Sequence, residues 1–358
     1  MATPIHQSRT SFKASVRRIY NLIGFSKGYN FILWVIFAGA LFGFVLARFM
    51  YLDFTGTFCP SASQGATGAA PGECYYYTRF SQYKIGILMH LGCILPSALL
   101  AIVQFVPVVR HKWILVHRLN GYLVLLLFVL STAGALMIAR HAFGGGLDTQ
   151  ACVGTLGIGC LVSFVLAWVN IKRLQIEQHR AWMLRGWFYA GSIITARFVL
   201  IISATAITAS NNYYTARPCA QLFFIHKTVP ETLEYYPACA SFFDGTNPGQ
   251  EAIVHASMGN GVSSEIGAAL GISFGMALWF ALVLHAIGIE IYLHLTPREA
   301  ERLRKVSYQR QLEAGMRNPG SAGLTADRLG DAEPWEGKLR QISDRLSVGG
   351  DVAEQART

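Results

Sequence analysis

The stretch LNGYLVLLLFVLSTAGALMIAR, residues 119–140, contains no acidic residue and no lysine, and its one arginine closes it. Crossing the hydrocarbon core of a bilayer takes about 20 apolar residues in a helix, and this stretch is long enough. Runs of the same kind recur at about 30–52, 84–109, 149–171, 182–208 and 265–294, which makes six. Lipid offers no partner to a free backbone N–H or C=O, so each run is expected to be a helix. The fold class that follows is an all-α, polytopic transmembrane helical bundle of about six spans, with helices two to five as a central four-helix unit.

Composition agrees. Of 358 residues, 53% are hydrophobic and only 14% are charged, where a soluble domain carries about a quarter charged. The net charge is +10, and the placement of the basic residues says what it is for. Arg9, Lys13, Arg17, Arg18 and Lys27 precede the first run. Arg110, Lys112 and Arg118 lie in the second connection. Lys172, Arg173, Arg180 and Arg185 lie in the fourth, and Arg298, Arg302, Arg304, Lys305 and Arg310 follow the last run. The other side holds only Arg79, Lys84, Arg140, Arg217 and Lys227. Basic residues collect on the cytosolic side of membrane helices. Residues 1–29 and 295–358 are therefore expected to be cytosolic tails around a membrane domain at 30–294. The basic balance is read as an anchoring signal, so no nucleic-acid partner is expected and the partner is the lipid bilayer.

Four of the seven cysteines, Cys59, Cys74, Cys219 and Cys239, fall in the expected outer loops 53–83 and 209–264. An even set of loop cysteines on the non-cytosolic side points to disulfides in an oxidising compartment. Pairing 59 with 74 and 219 with 239 is the simplest choice. The secretory pathway or plasma membrane follows from this. The basic, acid-free first 29 residues also suit a mitochondrial transit segment, which keeps the inner mitochondrial membrane as the alternative. In the first loop, PSASQGATGAAPGE is expected to be flexible. The second, rich in Tyr, Asn and Pro, is long enough to be functional or to form a small cap. After the last run, Thr296, Pro297 and Glu299 mark the start of a helix. A weak amphipathic stretch follows, with Trp335, Leu339, Ile342 and Leu346 at helical spacing, in a tail read as mostly disordered.

Charged residues at the edges of the runs carry the chemistry. HRLNGY begins at His117 and HRAWMLRGW at His179, each preceded by a basic residue seven positions earlier, Arg110 and Lys172. This echo suggests equivalent helical hairpins, with a site at their interface. His117 and His179 at one depth suit the axial positions of a haem b iron, with Arg118, Arg180 and Arg185 as partners for its propionates. The plain alternative is anchoring by snorkelled arginines. His90, early in the second run, and Arg197, deep in the fifth, form another set. A charge at that depth faces the bundle interior or water and marks a functional site by default. These two residues suit a small anionic ligand. Glu290 and His294 share one helix face, where a salt link to a nearby arginine is the simplest reading. Gly267 and Gly271 suit close helix packing. The sequence shows no Ser/His/Asp set, no P-loop, no dinucleotide fingerprint and no pair of intramembrane carboxylates.

At these positions the chain resembles the family of predicted membrane proteins called domain of unknown function 2306. The resemblance rests on His90, HRLNGY from His117, HRAWMLR from His179, and Arg197, and it spans roughly residues 84–208. It implies a multi-helix membrane protein and brings no activity with it. Three functions stay open: a haem-bearing electron-transfer protein, a transporter or receptor for an anionic or amphipathic small molecule, and a non-catalytic membrane scaffold.

Overall fold

The computed structural model describes residues 17, 18, 20–60 and 68–335. Six of its helices are long and apolar enough to cross a membrane. They are α1 (Gly28–Phe49), α3 (Ser81–Gln104), α5 (Ile114–Ile138), α6 (Leu147–Lys172), α7 (Ile176–Ser210) and α10 (Ser263–His294). Shorter helices stand between them: α2 (Glu73–Arg79), α4 (Pro107–Lys112), α8 (Cys219–His226) and α9 (Val229–Tyr235). Helix α11 (Pro297–Glu313) follows α10. Large apolar side chains lie open along the long helices, Phe198 and Ile202 at 69% exposure among them. Water would penalise such a surface and lipid would not. The flexible stretch expected in the first loop falls largely on residues 61–67, outside the described residues, as do Leu339, Ile342 and Leu346.

The chain divides into two compact units, Met1–Thr155 with Gly191–Ala281, and Leu156–Ala190 with Leu282–Thr358. In the first unit, α3 and α5 pack along their length. Their backbones touch at Gly86 and Gly134, where a Cβ on Gly134 would stand 2.5 Å from the Gly86 carbonyl oxygen. Polar side chains then bond across the pair. Ser97 donates to the Val124 carbonyl at 3.0 Å, Asn120 to Leu100 at 3.0 Å and Gln104 to His117 at 2.9 Å. Small residues at the crossing and hydrogen bonds beside it hold helices together in lipid, where there is no hydrophobic drive to do so. Helix α1 adds Val45 against Leu95 and Ala98 of α3.

The long connection 209–264 is a folded cap. Strand β1 (Tyr214–Pro218) pairs antiparallel with β2 (Glu251–His255), Arg217 opposite Ala252. Ala252 and Val254 of β2 point inward, following the period of two. They meet Leu222, the Cys219–Cys239 disulfide and Ala268 of α10 in one core. The first loop carries the Cys59–Cys74 disulfide. Both pairings are the expected ones.

The second unit is organised by amides. Gln175 sits in the turn between α6 and α7, just after Leu174 at φ 54°. It is fully buried, as are Asn170, Ser307 and Gln311. Gln175 donates to the Gly320 carbonyl at 2.9 Å and accepts from Gln311 at 2.9 Å and from the Gly323 N–H at 2.8 Å. Asn170 accepts from the Leu324 N–H, and Ser307 donates to Glu177 at 2.6 Å. Arg304 holds Asp327 with two bonds of 2.7 Å. The segment after α11 is thus ordered as far as Trp335, which lies against Tyr308 and Arg304. Specific hydrogen bonds hold the described part of the tail, and residues 336–358 lie outside the described residues. Thr296 stands at the start of α11 as expected, but its hydroxyl donates back to Tyr292 at 2.9 Å and caps nothing.

The Cys219–Cys239 bridge closes a sequence separation of 20 residues, a constraint worth about 3 kcal/mol. Replacing both cysteines with serine is expected to speed limited proteolysis within 209–264 by roughly 100-fold or more. Cleavage at the wild-type rate would show that the cap holds without it.

Candidate functional site

The turn after α5 reads AFGGG, residues 142–146. Phe143, Gly144 and Gly145 all have positive φ (49°, 84° and 61°). A Cβ on Gly145 would collide with the Arg140 carbonyl, so only glycine fits there. The turn is held from outside. The Phe143 N–H donates to Glu73 Oε1 at 2.9 Å. Glu73 opens α2, is 6% exposed, and also accepts from the Ala70 N–H at 2.7 Å and from the Tyr77 hydroxyl at 3.3 Å. Burial pushes its carboxyl above the usual range. The two N–H donors, the Arg197 charge and Tyr77 pull the other way. The Tyr77 phenol is raised well above its ordinary value by burial and by the Glu73 charge.

With its backbone fixed, Phe143 stacks on Phe274 of α10, ring centres 4.1 Å apart and planes 25° apart. Arg197 of α7 places its guanidinium 4.6 Å from the Phe143 ring centre and 5.2 Å from that of Phe274. The attraction is that of a cation for an aromatic face. The Arg197 Nε is buried without a hydrogen-bond partner. A second arginine, Arg217 of β1, lays its guanidinium against Gly144 and Gly271, where any Cβ would collide with it. Burial lowers the Arg217 pKa, and the neighbouring Tyr76 phenol acts against that. Neither arginine forms an ion pair among the described residues. The buried Glu73 carboxyl acts on Arg197 through its charge without forming a salt bridge to it.

Other expected residues have different partners. His90 Nδ1 lies 2.9 Å from Ser131 Oγ and 3.1 Å from the Ser131 carbonyl oxygen, so it joins the α3–α5 pair. His141 stacks on Tyr76 at 3.8 Å and meets Tyr83 edge-on at 4.5 Å. Burial, with Arg140 beside it, lowers its pKa and favours the neutral ring. His117 and Arg118 are the fourth and fifth residues of α5, and His179 and Arg180 the fourth and fifth of α7. The echo in sequence is thus an echo in helix position. Arg118 is exposed. His179 Nδ1 lies 2.9 Å from the Ala167 carbonyl oxygen. Arg180 donates to the Tyr292 hydroxyl at 3.0 Å. Arg185 holds Glu290 with bonds of 2.6 and 2.8 Å, the salt link expected of Glu290. Among the described residues no group of three or more His, Cys, Asp or Glu side chains comes together to hold a metal ion.

The sequence reading missed Glu73, Phe143, Arg217 and Phe274. Glu73 opens a short helix within the first connection, Phe143 lies in a turn and Arg217 on a cap strand, where spacing in the sequence carries little geometric information. The one signal was the glycine run 144–146, which marks a turn of unusual backbone.

Residues 87–224 match a family model described as predicted membrane protein, DUF2306. With six apolar helices, this makes the chain a multi-pass integral membrane protein and bears out the resemblance over that segment. His90, His117, Phe143, His179, Arg197 and Arg217 all lie within the match; Glu73 and Phe274 lie outside it. Among curated proteins, Ava biosynthesis cluster protein G of Aspergillus versicolor is similar, 26% identical over 307 residues that cover 76% of this chain and 90% of the relative. No solved structure matches.

Glu73 supplies a pH test. Its carboxyl is raised above 4.5 in the folded protein. Between 4.5 and the raised value the folded state keeps a proton that the unfolded state gives up, so stability falls as pH rises through that window. Melting temperature in detergent is expected to fall over that interval in wild type, and Glu73→Gln is expected to flatten the slope. An unchanged slope in the variant would assign it to another group.

Proposed function

We propose that the protein binds a small anionic molecule, most simply a carboxylate, through Arg197 and Arg217 against the Phe143–Phe274 pair, and that it works as a transporter or receptor. The observation that carries this reading is Arg197 itself. Its Nε is buried with no hydrogen-bond partner, and leaving a charged donor unpaired costs more than a hydrogen bond returns. A ligand carboxylate supplies the acceptor that Nε lacks. The aromatic pair beside it suits a ligand with an apolar or planar body. The likeness to a biosynthesis cluster protein favours an organic ligand over an inorganic ion. The two disulfides favour the secretory route or the plasma membrane, with the disulfide-bearing loops in the oxidising compartment.

Purified protein is expected to gain thermal stability with aromatic and aliphatic carboxylates and to gain none with their methyl esters. Arg197→Gln is expected to weaken carboxylate binding by roughly 2–5 kcal/mol, about 30-fold or more, while the protein still inserts and forms both disulfides. Equal response to acids and esters, or full binding by the variant, would sink the proposal.

A second reading keeps haem b, with His179 as an axial ligand and one-electron transfer as the chemistry the group would supply. What favours it is His179. With Nδ1–H given to the Ala167 carbonyl, Nε2 holds the ring's lone pair, the arrangement of a metal-ligating histidine. Against it, Arg180 and Arg185 are engaged by Tyr292 and Glu290. On this reading the protein shows a Soret band that shifts on dithionite reduction and disappears in His179→Ala. Colourless protein from haem-supplied cells would end it.

A further inference from the structure

A site in the cap stands apart from the arginine cluster. His226, the last residue of α8, is 6% exposed. Its Nε2 lies 3.0 Å from the hydroxyl oxygen of Ser264, and its Nδ1 lies 3.3 Å from Glu231 Oε1. The Tyr236 hydroxyl lies 2.7 Å from the same serine oxygen. No Ser/His/acid set was legible in the sequence, because the three residues come from three different elements, α8, α9 and the first turn of α10. Folding of the cap brings them together.

The hydrogen bonds have one consistent direction for a neutral imidazole. Glu231 can only accept, so Nδ1 carries the proton. Nε2 then accepts, and the Ser264 hydroxyl donates to it. Burial raises the Tyr236 phenol, which therefore stays neutral and donates to the serine oxygen. The order acid, imidazole, serine is that of an activated nucleophile: a base within reach of the hydroxyl and a carboxylate orienting the base. Ser264 is also the second residue of α10. Backbone N–H groups in the first turn of a helix have no intrahelical acceptor and favour negative charge. The helix start therefore favours negative charge beside Ser264, while the Ile266 N–H of that turn is bonded to the Val262 carbonyl. Tyr235 and Glu231, both about half exposed, edge the cluster toward its surroundings, and Ser264 lies beneath at 3% exposure.

The geometry points to a serine acyl-transfer centre in the cap, with Ser264 as nucleophile, His226 as general base and Glu231 as its orienting carboxylate, acting on an uncharged carboxylic ester. The aromatic surround of Tyr235 and Tyr236 suits an ester with an apolar acyl group. The serine oxygen attacks the ester carbonyl carbon while its proton passes to His226 Nε2. The C–O bond to the alcohol breaks, and the alcohol leaves with that proton. Water, deprotonated by the same nitrogen, then attacks the acyl-serine, releases the carboxylic acid and restores the hydroxyl. Every electron pair and proton is accounted for without a further reagent.

The test uses the full-length protein in detergent at pH 8 with an alkyl fluorophosphonate, followed by peptide mass spectrometry. The expected result is one adduct, on Ser264, absent in Ser264→Ala. The labelling rate should fall about 100-fold in His226→Gln, the usual size of a general-base contribution, and by a smaller factor in Glu231→Gln. Intact disulfides and an unchanged melting curve show that each variant is folded. Glu231→Gln keeps its size and lies at the half-exposed edge, so it serves if His226→Gln does not fold. Wild-type protein that forms no Ser264 adduct, or labels no faster than folded His226→Gln or Glu231→Gln, overturns the assignment. Carboxylate binding at Arg197 is measured separately and does not depend on this outcome.

Discussion

A carboxyl group buried beside left-handed backbone sets the geometry of the first unit. Glu73 accepts two backbone N–H bonds and one hydroxyl bond, which offset the loss of water around it. One of those bonds reaches Phe143, seventy positions away, and holds a residue that would otherwise avoid positive φ. The ring of Phe143 is then committed to Phe274, and the guanidinium of Arg197 to both rings. Remove the carboxyl, and the turn loses the acceptor that selects its conformation. The arginine keeps its charge but loses its counter-charge and its aromatic seat together. Structure and charge balance at this site therefore rest on one side chain.

What the sequence made legible follows from the same physics. Apolar runs of membrane-spanning length are unambiguous, because lipid accepts no other backbone geometry than the helix or the closed barrel. The helix starts were less so. Hydropathy suggested starts near 119 and 182, whereas α5 and α7 begin at Ile114 and Ile176. The His-Arg pairs lower hydropathy, yet the backbone bonds of the helix run on through them while the side chains reach outward. Arg197 stood out because a charge inside an apolar run has no bland place to go. Glu73 and Arg217 did not, since a loop carboxylate or a strand arginine is ordinary until the fold surrounds it. The disulfide pairing could be guessed from proximity in the chain. The β1–β2 ribbon could not, because YTARP at 214–218 has no clean alternation and buries its residues irregularly.

The second unit solves the problem of buried polarity in another way. Gln175 and Gln311 carry no charge, so burying them costs far less than burying an ion, provided every donor and acceptor is used. Their amides bond to each other, to the Arg173 and Gly320 carbonyls and to the Gly320 and Gly323 N–H groups. Gly323 is close enough to the Gln175 side chain that a Cβ there would collide with it. Such a network tolerates few alternatives, since each amide left open would be an unpaired polar group. That is why a segment with no hydrophobic periodicity is ordered here. The amide groups of Gln175 and Gln311 are bonded within this network, which also takes in the Glu177 carboxylate, whereas the arginine cluster keeps a buried donor open. This contrast supports placing a ligand at the arginines.

The glycines of α10 complete the argument. Gly267, Gly271 and Gly275 recur every four residues and so share one helix face. The spacing suggested contact between helices. Instead Gly267 receives the Pro71 carbonyl, Gly271 the Phe143 carbonyl and the Arg217 guanidinium, and Gly275 the Asp148 carboxylate. A Cβ at any of the three would meet a polar group, from a loop at Gly267, from the 142–146 turn and strand β1 at Gly271, and from the first turn of α6 at Gly275. The face thus acts as a seat for polar atoms at close range. At its centre, Gly271 and Phe274 lie on one helix turn, so a single segment of α10 sets both the arginine seat and the aromatic wall. An alanine at 271 would leave the charge of the site unaltered and displace the guanidinium that bears it. The specificity of the cluster therefore depends on a missing methyl group as much as on the arginines themselves.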